Sequence, residues 1–247
     1  VYDEPLSDDN IDLLRPPGFV GKLVEWINGQ CRFPRERLAV AAALSAMGNI
    51  SGLRYEDKVY GVTTNQFIFC VAGSATGKEA IQQAQAEIHK AAGIAPATHG
   101  AIKSEQEIIR NLIDHQAACY IIDEMGLVLQ KIDNARKRGG AAYLEGVIGA
   151  LMSAYSKANS FMPLGGDVRK EIKMQLAKEL GQLKKRQADG ADVESDIASI
   201  ERQLSTLDSG LERPFLSLIG YTTPVTFNGL VDYEQSANGF FGRSLII

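Results

Sequence analysis

The 247-residue sequence predicts an α/β fold: a core on a mainly parallel sheet, a helical layer ahead of it, and an antiparallel helical hairpin inserted late. Three observations predict it. Apolar runs at 67–71, 117–122 and 215–220, the last broken by Ser217, have the length and content of core strands, and the continuous run at 117–122 has the habit of a strand buried in a parallel sheet. Breaker-free helical stretches lie between the first two runs. From 168 to 211 the composition shifts to apolar residues alternating in steps of four and three, the pattern of a helix pair.

The first run empties into Ala72-Gly73-Ser74-Ala75-Thr76-Gly77-Lys78-Glu79, and Glu79 to His89 then reads as helix. A glycine-rich turn at a helix start aims successive backbone N–H groups at phosphate oxygens; the helix dipole adds to that field, and Lys78 can reach the β- and γ-phosphates. The spacing is that of a P-loop with two departures. Ala72 replaces the first glycine, and Glu79 stands where a Ser or Thr hydroxyl ordinarily ligates magnesium. A carboxylate also ligates hard cations. Glu79 therefore admits three readings: it holds Mg2+ directly or through water, it marks a weakened site, or the loop is a turn with no nucleotide.

The second run closes on Asp123-Glu124, roughly 45 residues after Lys78. In a P-loop fold this strand is expected beside the first, with Asp123 in the magnesium shell and Glu124 polarising the attacking water. The plainer alternative is a strand that ends in an Asp-Glu turn. The third run finishes at Tyr221-Thr222-Thr223-Pro224, where Thr222 or Thr223 would sense the γ-phosphate. Together these segments imply ATP and Mg2+ as ligands.

Residues 1–51 read as an acidic lead-in followed by a helical layer, and 52–247 as the core, interrupted by the hairpin at 168–211. Helices are predicted over 19–28 and 35–47, as a lid or packing layer anchored by Trp26. A short hairpin is expected within 52–64, where Tyr55 and Tyr60 would either pack in a strand or stack on an adenine ring. His99 falls in a Gly, Pro and Ala loop. Ser104 caps the next helix, and Glu107 three residues later completes a capping box.

Lys131, Arg136, Lys137 and Arg138 belong to the most basic stretch, read as a loop beyond the acidic strand that either touches DNA phosphates or is simply solvated. A helix over 141–158 follows. In the hairpin, Val193, Ile197, Ile200, Leu204, Leu207 and Leu211 form one seam, faced by Ile172, Leu176, Leu180 and Leu183. Lys184, Lys185 and Arg186 near its tip suit a grip on nucleic acid or a neighbouring subunit, or a solvated insertion. Arg243, between glycine-bearing turns and a terminal strand, either completes a site across a subunit boundary or lies on the surface.

With 26 basic and 30 acidic residues the chain carries net charge -4, which excludes a globally basic nucleic-acid binder and leaves only local contacts. Cys31, Cys70 and Cys119 lack metal spacing and read as buried thiols in a reducing cytoplasm. No membrane-length apolar run or leader is visible. The start at Val1 and the unfinished strand at Ser244-Leu245-Ile246-Ile247 suggest a piece of a larger polypeptide.

The order of parts resembles the P-loop ATPase domains, with a RecA-like core, of helicase-like and primase-helicase replication proteins from phages and mobile elements. The resemblance rests on Thr64-Asn65 before the loop strand and on the block from Ser104 to Glu124 followed by Met125-Gly126. It rests also on Leu216 to Gly220 followed by Pro224, and on Gly239-Phe240 before Arg243. It spans 16–247 except the hairpin. It implies an ATP hydrolase that moves along single-stranded or forked DNA during replication, assembled as a homo-oligomeric ring in which Arg243 acts in trans. The alternatives are a nucleotide-gated assembly module with weak or no hydrolysis, and a DNA-packaging or recombination ATPase.

Overall fold

The computed structural model describes residues 12–138, 142–231 and 239–247; side chains at 135–138, 142–145 and 231 lie outside the described residues, as do residues 1–11, 139–141 and 232–238. The expectations for the acidic start of the lead-in, for Gly139-Gly140 and for Tyr143 and Leu144 on a helix face fall outside them.

Five strands form one parallel sheet: β1 (Phe67–Val71), β2 (Thr98–His99), β3 (Ala117–Ile122), β6 (Phe215–Thr222) and β7 (Ser244–Ile246), in the order β2-β3-β6-β1-β7. The short antiparallel pair β4 (Phe161–Met162) and β5 (Leu211–Glu212) stands apart from it. The chain is therefore α/β and mostly helical. One expectation fails here: the acidic strand β3 does not lie beside β1, because β6 sits between them and pairs with both. The long excursion from β3 to β6 returns the chain into the gap rather than to an edge.

Side chains of a strand alternate between faces, and the two faces carry separate cores. Ile68 and Cys70 of β1 and Ile219 and Tyr221 of β6 pack with α1 (Gly18–Gly29), α2 (Glu36–Ser51) and α3 (Lys78–Ala91). Phe67, Phe69, Tyr120, Ile122, Leu216 and Leu218 face the other way, into a core shared with α4 (Glu105–His115), α5 (Met125–Arg138) and α6 (Ala142–Ser156). Side chains of this size contribute roughly 1.5–3 kcal/mol each on burial.

The N-terminal helices thus form a packing layer, but Trp26 does not anchor it. The residue is 43% exposed, while Leu23, Val24 and Ile27 make the buried stripe. Residues advance about 100° per position, which places Trp26 on the flank of that stripe. The segment before β1 is a 3-10 turn at Gly52–Arg54 and a single antiparallel bridge, Glu56 to Thr63, rather than a hairpin of strands. His99 lies in edge strand β2, not in a loop.

Ser104 caps α4, accepting from Glu107 N–H at 3.2 Å, while the Glu107 carboxylate accepts from Lys103 N–H at 2.7 Å. The reciprocal bond thus reaches one residue further back than the capping-box pattern requires. Helices α7 (Gly166–Ala188) and α8 (Glu194–Ser209) form the expected hairpin with a turn at 189–193. Its base is part of the core, through Ile172, Leu176, Ile200 and Leu207, and Arg110 of α4 grips Glu179 through two bonds of 3.0 Å. Leu211, the last seam residue, belongs to β5. Among the described residues no helix is long and apolar enough to cross a membrane.

Candidate functional site

A parallel sheet brings the C-terminal ends of all its strands to one edge, where open α/β sheets bind ligands. Here that edge gathers the loop after β1, Asp123 and Glu124 after β3, and Thr222 and Thr223 at the end of β6.

The loop Ala72–Gly77 is a tight turn. Thr76 Oγ1 donates to the Gly73 carbonyl at 2.8 Å, and Ala72 N–H donates to the Thr222 carbonyl at 3.0 Å. Ala75 (φ 57°) and Gly77 (φ 87°) are left-handed, and Gly77 is the N-cap of α3. Left-handed residues interspersed in a turn draw successive N–H groups toward one concavity, which favours an anion. Ser74 and Ala75 are exposed at its crest.

Lys78, the first residue of α3, is 8% exposed. Its Nζ donates to the Thr222 carbonyl at 3.3 Å and stands 3.9 Å from Glu124 Oε1. Gln82, one turn along the same helix face, donates to Asp123 Oδ1 at 3.0 Å. That oxygen also accepts Glu124 N–H at 3.0 Å, across a left-handed Glu124 (φ 50°). Lys78, Asp123 and Glu124 are therefore assembled on one side of β1 although β6 intervenes, and the β6 carbonyl joins them.

Glu79 is exposed and its carboxylate accepts from Gln83 Nε2 at 3.4 Å. Among the described residues no three His, Cys, Asp or Glu side chains gather as a metal group.

No known family, curated protein or solved structure compared with the chain matches it.

Other expected site residues lie differently. The Thr222 hydroxyl is buried without a hydrogen-bond partner among the described residues, close against Gly126 at the start of α5. Thr223 caps α9 (Pro224–Val231), accepting from Thr226 N–H at 3.3 Å. Arg243 precedes β7, whose Ser244 pairs with the first residue of β1, so it sits where the strands begin, about 16 Å from the loop at about 3.3 Å per residue. Its guanidinium donates to the Gly239 carbonyl at 2.6 Å.

Lys131 is exposed on α5; this helix runs through Arg138, so the basic stretch is a helix end and not a loop. The side chains of Arg136, Lys137 and Arg138 lie outside the described residues. Burial pushes the Cys70 and Cys119 thiols up to about 12, so neither supplies a thiolate.

Two partners went unread in the sequence. Gln82 carries a signal, its four-residue offset from Lys78. Arg35, just before α2, donates Nε–H to the Thr76 carbonyl at 3.0 Å, and only the fold brings it there.

Proposed function

We propose that the chain is a RecA-like P-loop ATPase domain that hydrolyses ATP to drive movement on DNA, of the kind found in phage and mobile-element replication proteins. The observation that carries this reading is the meeting of Lys78 Nζ, the Glu124 carboxylate and the Thr222 carbonyl beside a turn with two left-handed residues at a helix N-terminus. A buried ammonium held between a carbonyl and a carboxylate at 3.9 Å is poised to exchange them for phosphate oxygens.

In this reading the N–H groups of Gly73 to Lys78 and the Lys78 ammonium hold the β- and γ-phosphates. Glu124, released from Lys78, accepts a proton from the attacking water, and Asp123, held by Gln82, stays fixed beside it. Glu79 and Asp123 are the residues that would hold Mg2+, which supplies charge neutralisation on the phosphate oxygens when bound. Thr222 lends its carbonyl, rather than its hydroxyl, to position Lys78.

For Arg243 the ring rests on the resemblance. The residue lies too far from its own loop to serve it, so any triphosphate it reaches belongs to another copy. DNA contact rests on the resemblance, with Lys131, Arg136, Lys137 and Arg138 as candidates at the end of α5.

A second reading, a nucleotide-gated assembly module with weak hydrolysis, is favoured by Glu79 alone, an exposed carboxylate in place of a hydroxyl. Phosphate release with and without single-stranded DNA decides between them. Turnover that rises with DNA and vanishes in Lys78→Ala supports the motor; tight ATP binding without phosphate release supports the module; wild-type turnover in Lys78→Ala refutes both.

A further inference from the structure

The sequence offers Tyr55 and Tyr60 as platforms for a base, yet the two residues are 66% and 80% exposed, on the turn that leads into β1 at the far end of the sheet from the loop. A different surface adjoins the loop itself. A cleft of about 580 Å3 opens between the start of α2 (Pro34, Arg35, Leu38), the loop (Ala72, Thr76) and Ile247 beyond β7. Its volume lies within the range of small-molecule sites, and its walls are about equally apolar and polar, with Arg35, Glu36 and Arg37 among them.

Strand order fixes which part of a nucleotide belongs there. On one side of β1 lie β6 and β3, carrying the Thr222 carbonyl, Asp123 and Glu124; on the other lie β7 and the cleft. A triphosphate in the loop with its terminal phosphate toward the carboxylates must direct its other end toward Pro34 and Ile247. Ala72 and Thr76 line both the turn and the cleft, so no gap separates the two. Arg35 already bridges them: Nε–H is spent on Thr76, and its remaining guanidinium N–H groups make no hydrogen bond among the described residues. They form a flat, charged surface suited to lie on a base or ribose.

We infer that this cleft seats the base and ribose of the nucleotide, with the N-terminal helical layer as its outer wall and Arg35 as the residue that couples that layer to the loop. The inference rests on the phosphate-binding reading of the loop. It makes the N-terminal layer part of the nucleotide site and not merely a cover for one face of the sheet.

Photolabelling of the full chain with 8-azido-ATP, with and without excess inorganic tripolyphosphate, tests it. The expected result is label on residues 33–38 or 245–247 that tripolyphosphate removes, together with at least tenfold tighter binding of ATP than of tripolyphosphate. Tripolyphosphate-sensitive label on Tyr55 or Tyr60, or equal affinities for the two ligands, overturns the nucleoside seat while leaving the phosphate loop standing. Label that tripolyphosphate does not remove overturns both.

Discussion

His89 is fully buried in the last turn of α3, and it makes the stability of the core that α3 shares with α1 and α2 depend on pH. Thr98 Oγ1 donates its proton to the Ile94 carbonyl at 2.9 Å, so His89 Nδ1, 2.9 Å away, carries the proton and donates to Thr98. Nε2 is then the acceptor for Asn49 Nδ2 at 3.2 Å. Both ring nitrogens are satisfied only while the imidazole is neutral; a second proton would face an N–H donor. Burial holds the group down at about 4, against 6.5 in an open chain.

The unfolded chain therefore takes up a proton on His89 as pH falls below 6.5, and the folded chain does not until about 4. Stability from this group is complete above 6.5 and falls by about 1.4 kcal/mol per pH unit below it, to a loss of about 3 kcal/mol near pH 4. Urea unfolding from pH 7.5 to 4, with wild type and His89→Gln in parallel, isolates it from the carboxylates that titrate in the same window. The variant starts lower by about 1–3 kcal/mol, and the difference closes as the pH drops. A constant difference between the two proteins across that range, or an NMR titration of His89 near 6.5, would refute the reasoning.

Glu79→Gln should raise the magnesium concentration for half-maximal phosphate release about tenfold or more; an unchanged requirement removes Glu79 from the metal shell. Gly126→Ala drives a Cβ into Thr222 Oγ1 and to 2.6 Å from Thr226 Cγ2. Overpacking of that kind costs about 1–3 kcal/mol, read as a Tm several degrees lower, and an unchanged Tm would show that α5 shifts freely. Ser104→Ala removes the cap of α4 and should cost about 1 kcal/mol in chemical denaturation; no loss would mean that Glu107 and Lys103 hold the helix start unaided.

The elements legible in the sequence are those whose signal is local. β1 and β3 are uninterrupted apolar runs, β6 is one broken only by Ser217 before its polar end, α4 announces its cap, and the seam of α7 and α8 is written as heptad spacing. Strand order is not local, since nothing in residues 123–214 says that the chain re-enters beside β1. The same limit hid Arg35, whose partner is the Thr76 carbonyl across 41 positions. Trp26 has the size of an anchor but lies out of phase with the buried stripe of α1, and Arg136 to Arg138 carry the charge of a solvated loop although no helix breaker precedes Gly139. A readable signal was missed in α2 and α3. Ser45 and Asn49 repeat at four residues, as do Gln85 and His89, and the pairs meet in the core, Gln85 Nε2 donating to Ser45 Oγ at 2.9 Å.

Parallel measurement of ATP affinity and of phosphate release in Glu124→Gln bears most directly on whether the lysine and the acidic pair act on the same triphosphate. ATP affinity within a few-fold of wild type, with release slower by a factor of about 100 or more, is the predicted result. Undiminished release would contradict it, since the carboxylate that meets Lys78 would then take no part in the reaction.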